Sequence, residues 1–226
     1  MTLKLIYFKM RALAEAPQLL LNYASIDYEY LMSWEYFDQD WTKIKEKISF
    51  KQLPILIVNK NNEISQSIAI LSYIEKLAGL NISNPIVAAK ADAILQSAQE
   101  LFAPLNPTVN FAVGSDFEKK RDAMMPFLMS RFDDLSRALI SSDGRFFIDD
   151  NPRACDFAAF HHLDLSKKLD PLLIKKFPRL ENFVDEISSV KSVNSYLLSR
   201  PELIGVGTEP KLNINGVEHP TGIYKT

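Results

Sequence analysis

QLPILIVNKNNEISQS, Gln52 to Ser67, places a proline at the mouth of an apolar run and ends in small polar residues around a glutamine. Proline cannot donate to a sheet ladder, so it is pushed to strand starts, edges or bulges. The strand therefore begins at Ile55, and the backbone ahead of it serves something other than the ladder. Ile55–Val58 and Glu63–Ser65 flank NKNN, whose Asn61-Asn62 pair suits a tight hairpin turn. Ser67–Ala78 then changes to helical phase, with Ile68, Leu71, Ile74 and Leu77 on one face, and Gly79 is a natural C-cap.

Upstream, Leu3–Phe8 reads as a short buried strand. Ala12–Ala24 follows as a helix burying Leu13, Ala16, Leu20 and Tyr23, and Ile26–Leu31 as a second strand. Ser33–Phe50 is polar and aromatic, with a short helix around Trp41–Lys47. The order is β-α-β, then α-β-β-α. A β-α-β unit with a crossover helix makes its strands parallel, and the hairpin adds an antiparallel pair.

The segment GLNISNP marks a boundary after residue 80. From residue 85 to about 200 the periodicity is helical, in runs over Val87–Phe111, Phe117–Leu139, Cys155–Leu169, Leu172–Ile187 and Val190–Leu198. Short connections between them predict an all-α bundle. Residues 201–226 carry three prolines and four glycines and read as an extended tail laid across the surface.

Composition excludes several classes of protein. The 226 residues are 47% hydrophobic and 24% charged, with a formal charge of −2, so no strong field draws the chain to nucleic acid or to an anionic membrane. One cysteine, Cys155, rules out an internal disulfide framework and points to a reducing compartment. Lys4, Lys9, Arg11 and Glu15 interrupt the N-terminal apolar residues, which fits neither a signal segment nor a membrane span. The expectation is a cytoplasmic protein.

Three blocks carry a resemblance. They are YFKMRALAE (Tyr7–Glu15), DWTKIKEKISFKQLPIL (Asp40–Leu56) and SQSIAILSYI (Ser65–Ile74). In this order and spacing, with an all-α domain behind them, the chain resembles the cytosolic glutathione transferases. It looks most like the sigma class, which includes the glutathione-dependent prostaglandin D synthases. The resemblance implies a thioredoxin-like N-terminal domain, a homodimer, glutathione as co-substrate, no metal, and a small hydrophobic electrophile that is conjugated or isomerised.

Residue by residue, the resemblance implies that Tyr7 donates a hydrogen bond to the glutathione sulfur and so favours the nucleophilic thiolate. It makes the Leu53–Pro54 bond cis, with the Leu53 backbone pairing the cysteinyl unit. The residues alone favour a trans proline opening an edge strand, since cis is uncommon among X–Pro bonds. Trp41, Lys45 and Gln52 would meet the glycyl end, although Lys45 taken singly is an ordinary solvated lysine. Gln66 and Ser67 would hold the γ-glutamyl group at a helix start, whose free amides and dipole suit a carboxylate. Ser67 also reads as that helix's N-cap. Gln96, Gln99 and Glu100 fall where the family reaches the ligand from the partner subunit. Met10, Leu13, Phe102, Phe111 and Tyr196 would line the electrophile pocket.

The departures from the family pattern are specific. Ala12 and Leu13 stand where the family has glycine and a second arginine that helps polarise the thiol. Lys51 replaces a common glycine. Arg153 sits at the cap position of the helix carrying Asp156, so Asn151 or a shifted boundary must supply the missing acceptor. These substitutions open an alternative, a catalytically weak or inactive family member that binds ligands or plays a structural part. A thioredoxin-type redox protein is disfavoured, because no cysteine lies near the end of strand one or before Pro54. His161-His162 are adjacent on a helix and diverge too far to share a metal as an i, i+4 pair does. Cys155 reads as a structural thiol, and GVGTEP is too short and strand-poor for a phosphate loop. Phe8, next to Tyr7, is expected to face the core.

Overall fold

The computed structural model describes residues 1–225. The N-terminal half runs β1 (Leu3–Tyr7), α1 (Glu15–Tyr23), β2 (Glu29–Met32), α2 (Ser33–Phe37), α3 (Trp41–Ile44), β3 (Ile55–Val58), β4 (Asn62–Ser65) and α4 (Ser67–Leu77). Its sheet has the order β2-β1-β3-β4. β1 is parallel to β2, with Leu5 opposite Tyr30, and antiparallel to β3, with Leu5 opposite Leu56. All four residues of β3 are buried, which explains its unbroken ILIV: a strand covered on both faces needs no polar alternation. The outer strand β4, NEIS, is exposed or half-buried throughout.

The β3–β4 turn differs from the sequence expectation. Val58 pairs with Asn62, and Asn59 and Lys60 take the left-handed φ values of 50° and 73°. Asn62 is therefore a strand residue, and Asn59 leads the turn. It accepts the Asn61 amide and holds the Thr2 amide through its own side chain. α1 buries Leu19, Leu20 and Leu21 together rather than a single stripe, because it packs against both α4 and α8 (Ala154–Ser166) of the second domain.

The helical half consists of α5 (Pro85–Gln99), α6 (Phe102–Phe111), α7 (Gly114–Ile140), α8, α9 (Pro178–Ser189) and α10 (Lys191–Ser199). The continuous run expected over Val87–Phe111 is two helices. Pro104 cannot accept a turn carrying the carbonyl four residues back, at Glu100, so the helix breaks there. Pro178 occupies the first position of α9, where the missing N–H costs nothing. That proline shortens the run expected from Leu172.

α8 is buried almost completely and its start is capped from two directions. Asp156 accepts the Arg153 and Phe147 amides at 2.8 and 2.9 Å. Glu75 of α4 accepts the Ala154 amide at 3.0 Å. The acceptor that Arg153 cannot provide thus comes from the other domain, and Asn151 takes no part in it. Arg153 turns its guanidinium to the Leu80 carbonyl and to Asp149. Burial pushes the Asp156 carboxyl up to about 7. Burial also raises the Cys155 thiol and lowers both His161 and His162, so these three side chains stay neutral inside α8.

Residues 201–220 are not an extended tail. They fold into a three-stranded antiparallel sheet of β5 (Glu202–Ile204), β6 (Lys211–Ile214) and β7 (Val217–Pro220). Asn215-Gly216, at φ 52° and 83°, form the two-residue loop between Ile214 and Val217. An Asn-Gly pair is the strongest short-range hairpin signal a sequence offers, and here it outweighs the prolines around it.

Candidate active site

A cleft of about 390 Å³ opens where the two domains meet. The end of β1 and the loop after it bring Tyr7, Phe8, Met10 and Leu13. The approach to β3 brings Trp41, Lys45, Lys51, Gln52 and Leu53, and α6 brings Phe102, Asn106 and Phe111. Nine of these twelve residues follow from the sequence reading. Phe8, Lys51 and Asn106 do not follow from it as lining.

Tyr7 sits at 3% exposure. Burial pushes its phenol well above the ordinary tyrosine value, and the Leu13 amide pulls only weakly the other way. The hydroxyl is therefore neutral. The Leu13 N–H donates to its oxygen at 3.3 Å, which leaves the phenolic hydrogen free for another acceptor. Phe8 is buried in the core as expected and also borders the cleft. Its ring lies edge-on to Trp41 at 5.2 Å and tilted to Tyr7 at 5.3 Å.

The Leu53–Pro54 peptide is cis. Leu53 is buried, and neither its N–H nor its C=O takes a hydrogen bond from the described residues. Lys51 holds φ at 53° and Phe50 at 57°, a conformation that costs little only for glycine. The lysine thus occupies a glycine-like backbone position, and it pairs with Glu46.

Gln66 Nε2 donates to Gln52 Oε1 at 3.0 Å, which ties the two ends of the opening stretch together. Gln66 has φ 73° and occupies the cap position of α4 without a side-chain cap bond, and Ser67 is the first helical residue. The expectation that Ser67 caps the helix is therefore corrected by one residue. The first intrahelical donor is Ile70, to the Gln66 carbonyl, so the amides of Ser67, Ile68 and Ala69 have no intrahelical partner.

Tyr196 does not join this cleft. Its hydroxyl donates to Glu15 Oε2 at 3.1 Å, and it lines a separate cavity of about 170 Å³ with Arg11, Glu15, Tyr30 and Arg200. Met10 borders both spaces. α10 packs against α1, so its tyrosine meets Glu15 before it can reach Tyr7. On α5, Gln96 is exposed, Gln99 half-buried, and Glu100 pairs with Arg131 at 3.2 Å. All three lie outside the cleft of the single chain.

Comparison with known proteins agrees with this architecture. Residues 3–76 match the family model "Glutathione S-transferase, N-terminal domain", and residues 105–200 match "Glutathione S-transferase, C-terminal domain". The hematopoietic prostaglandin D synthase of Gallus gallus is 30% identical over 203 residues, 88% of this chain and 96% of that protein. The Pi-class glutathione S-transferase of Onchocerca volvulus superposes with a TM-score of 0.76 at 26% identity, covering 88% of this chain and 93% of that one. A glutathione S-transferase of the hookworm Necator americanus, described as monomeric, gives 0.76 at 25% identity, covering 89% and 98%. The chain belongs to the glutathione S-transferase family. Glutathione is the co-substrate of that family. Among the described residues no helix is long and apolar enough to cross a membrane.

Proposed function

We propose that this protein binds glutathione along the β3 approach, stabilises its thiolate with the Tyr7 hydroxyl, and directs it at a hydrophobic electrophile on the α6 side. The observation that carries the reading is the neutral, buried Tyr7 phenol, which takes an amide hydrogen from Leu13 and keeps its own hydrogen to give. Donation into the phenol oxygen polarises the O–H and strengthens the bond it makes onward. A hydrogen bond to a thiolate, but not to a thiol, lowers the thiol pKa. The Leu13 backbone thereby contributes to activation although its side chain is not the family's arginine.

Support for the binding half comes from unpaired groups. The Leu53 N–H and C=O suit the backbone of an extended peptide. The three free amides at the start of α4 suit a carboxylate, beside Gln66, while Trp41, Lys45 and Gln52 provide donors for a second carboxylate. The product is a conjugate, or an isomer released with regeneration of glutathione. We read the working unit as a homodimer in which Gln96, Gln99 and Glu100 face the partner's site.

A second reading, a ligand-binding family member with weak chemistry, has one observation in its favour. Arg11, the arginine retained in this block, donates to the Pro201 carbonyl and lines the other cavity, so its guanidinium is committed away from Tyr7. Tyr7→Phe separates the two. Loss of one hydrogen bond to a charged acceptor, about 1.5–3 kcal/mol, lowers kcat/KM roughly 10- to 150-fold. Glutathione affinity should hold, and the thiolate ultraviolet absorption of the complex should shift to higher pH. Glutathione binding with no turnover of a generic aryl halide by the wild type would establish the second reading instead.

A further inference from the structure

Beyond residue 200, where the family match ends, the chain builds β5–β7 and then returns to the cleft. The return is anchored on both domains. The Lys9 amide donates to the Gly222 carbonyl at 3.1 Å, and the Gly222 amide donates back to the Lys9 carbonyl at 3.0 Å. The Thr221 hydroxyl donates to the Asn110 carbonyl of α6 at 2.5 Å. Further back, the Gly114 amide at the start of α7 donates to the Gly207 carbonyl at 2.8 Å.

These bonds fix the segment across the mouth between the β1–α1 loop and α6, and they deliver Ile223 into the cleft lining. It is the one lining residue from beyond position 200 among those described. It joins Met10, Leu13, Phe102 and Phe111, the apolar residues, while the bonds of the tail leave Lys45, Gln52, Leu53 and Gln66 untouched. The isoleucine side chain is stiff at χ1. With its backbone clamped one residue away at Gly222, it forms a fixed wall rather than an adaptable one.

Resting on the glutathione reading given above, we propose that Ile223, positioned by the Lys9–Gly222 bridge, is a specificity-determining residue for the apolar group of the electrophile. The class favoured is an electrophile that carries an apolar group beside its reactive carbon, which Ile223 would contact on this flank. Thr221 and Gly222 are positioning residues and do not touch the substrate.

The test uses two ligands that differ only by an apolar chain, glutathione and S-hexylglutathione, titrated calorimetrically against the full chain, a chain ending at Thr221, and Ile223→Ala. The shortened chain keeps β5–β7 with buried Leu203 and Leu212, and the point variant keeps the bridge. S-hexylglutathione should bind the wild type more tightly than glutathione does. Its affinity should fall about fivefold or more in both variants, because the hexyl chain then buries less apolar surface, while glutathione affinity stays within about twofold. Unchanged S-hexylglutathione affinity in both variants would overturn the role of Ile223 and leave the glutathione reading intact. A parallel loss for both ligands would reassign the tail to holding the cleft together. A wild type that binds neither ligand would remove the glutathione reading, and this inference with it.

Discussion

Arg200 closes a buried ion cluster between the two domains, and removing it offers a quantitative check on how the cleft is framed. Its Nη1 bonds Glu15 Oε1 of α1 at 2.5 Å and its Nη2 bonds Asp164 Oδ2 of α8 at 2.7 Å. The side chains are only 10%, 5% and 21% exposed, in the order Arg200, Glu15 and Asp164. Arg200→Met conserves much of the apolar stem and deletes the charge. Glu15 is then left in the interior with the Tyr196 hydroxyl as its hydrogen-bond donor, and the more distant Arg11 offers partial compensation. Breaking one partner out of a buried pair costs about 3–5 kcal/mol, and the Arg11 field argues for the lower end. At about 2–4 °C per kcal/mol for a chain of this size, a loss of about 3 kcal/mol lowers Tm by roughly 6–12 °C.

The assay is urea unfolding followed by the fluorescence of Trp34 and Trp41, with a thermal scan alongside. Adding Glu15→Gln to Arg200→Met removes the stranded charge and should recover part of the loss, and a double-mutant cycle measures that coupling. If Arg200→Met costs less than about 1 kcal/mol, or the double variant is no better than the single one, the cluster is solvated and the reasoning fails.

Two further outcomes concern the start of α8. Asp156 is raised to about 7 in the folded protein against an ordinary carboxyl near 3.9, so the native state holds its proton more tightly. The stability this group contributes is complete below its unfolded value and is lost as pH rises to about 7. Asp156→Asn should flatten that segment of the stability-versus-pH curve, and an unaltered slope would assign the titration elsewhere. Glu75→Ala removes the acceptor of the Ala154 amide. It should cost about 1 kcal/mol, as loss of a cap does, and should speed hydrogen exchange at the first turn of α8 specifically.

What can be read in the chain follows from the range of the interactions involved. The β-α-β unit and the antiparallel hairpin rest on short segments whose pattern is local, so the residues announce them, whereas the grouping of Trp41, Lys45, Gln52 and Leu53 comes only through the resemblance to the family. Tyr196 escapes the reading because its fate depends on Glu15, 181 positions away, and spacing along α10 carries no trace of that pairing. Phe8 is buried as the strand pattern implies, and only its share in the cleft lining goes unannounced. The Val87–Phe111 break and the Asn215-Gly216 turn do have clear signals, in Pro104 and in the Asn-Gly pair. A strong apolar period masks the first, and a glut of prolines masks the second. Ile223 has no signal at all. Only the long-range bonds to Lys9 and Asn110 bring it to the cleft.

The carboxylate of Glu75 on the Ala154 amide has a consequence for how such chains are assembled and exchanged. The N-terminal half leaves the ribosome first and folds first, so it offers a finished acceptor before the helix that needs it has been made. The helical half has no such acceptor of its own at that amide. A chimera joining this helical half to another relative's N-terminal half inherits a frayed helix start unless the donor supplies an acidic side chain at position 75. The two halves are separable as sequence families, yet one helix terminus belongs to both.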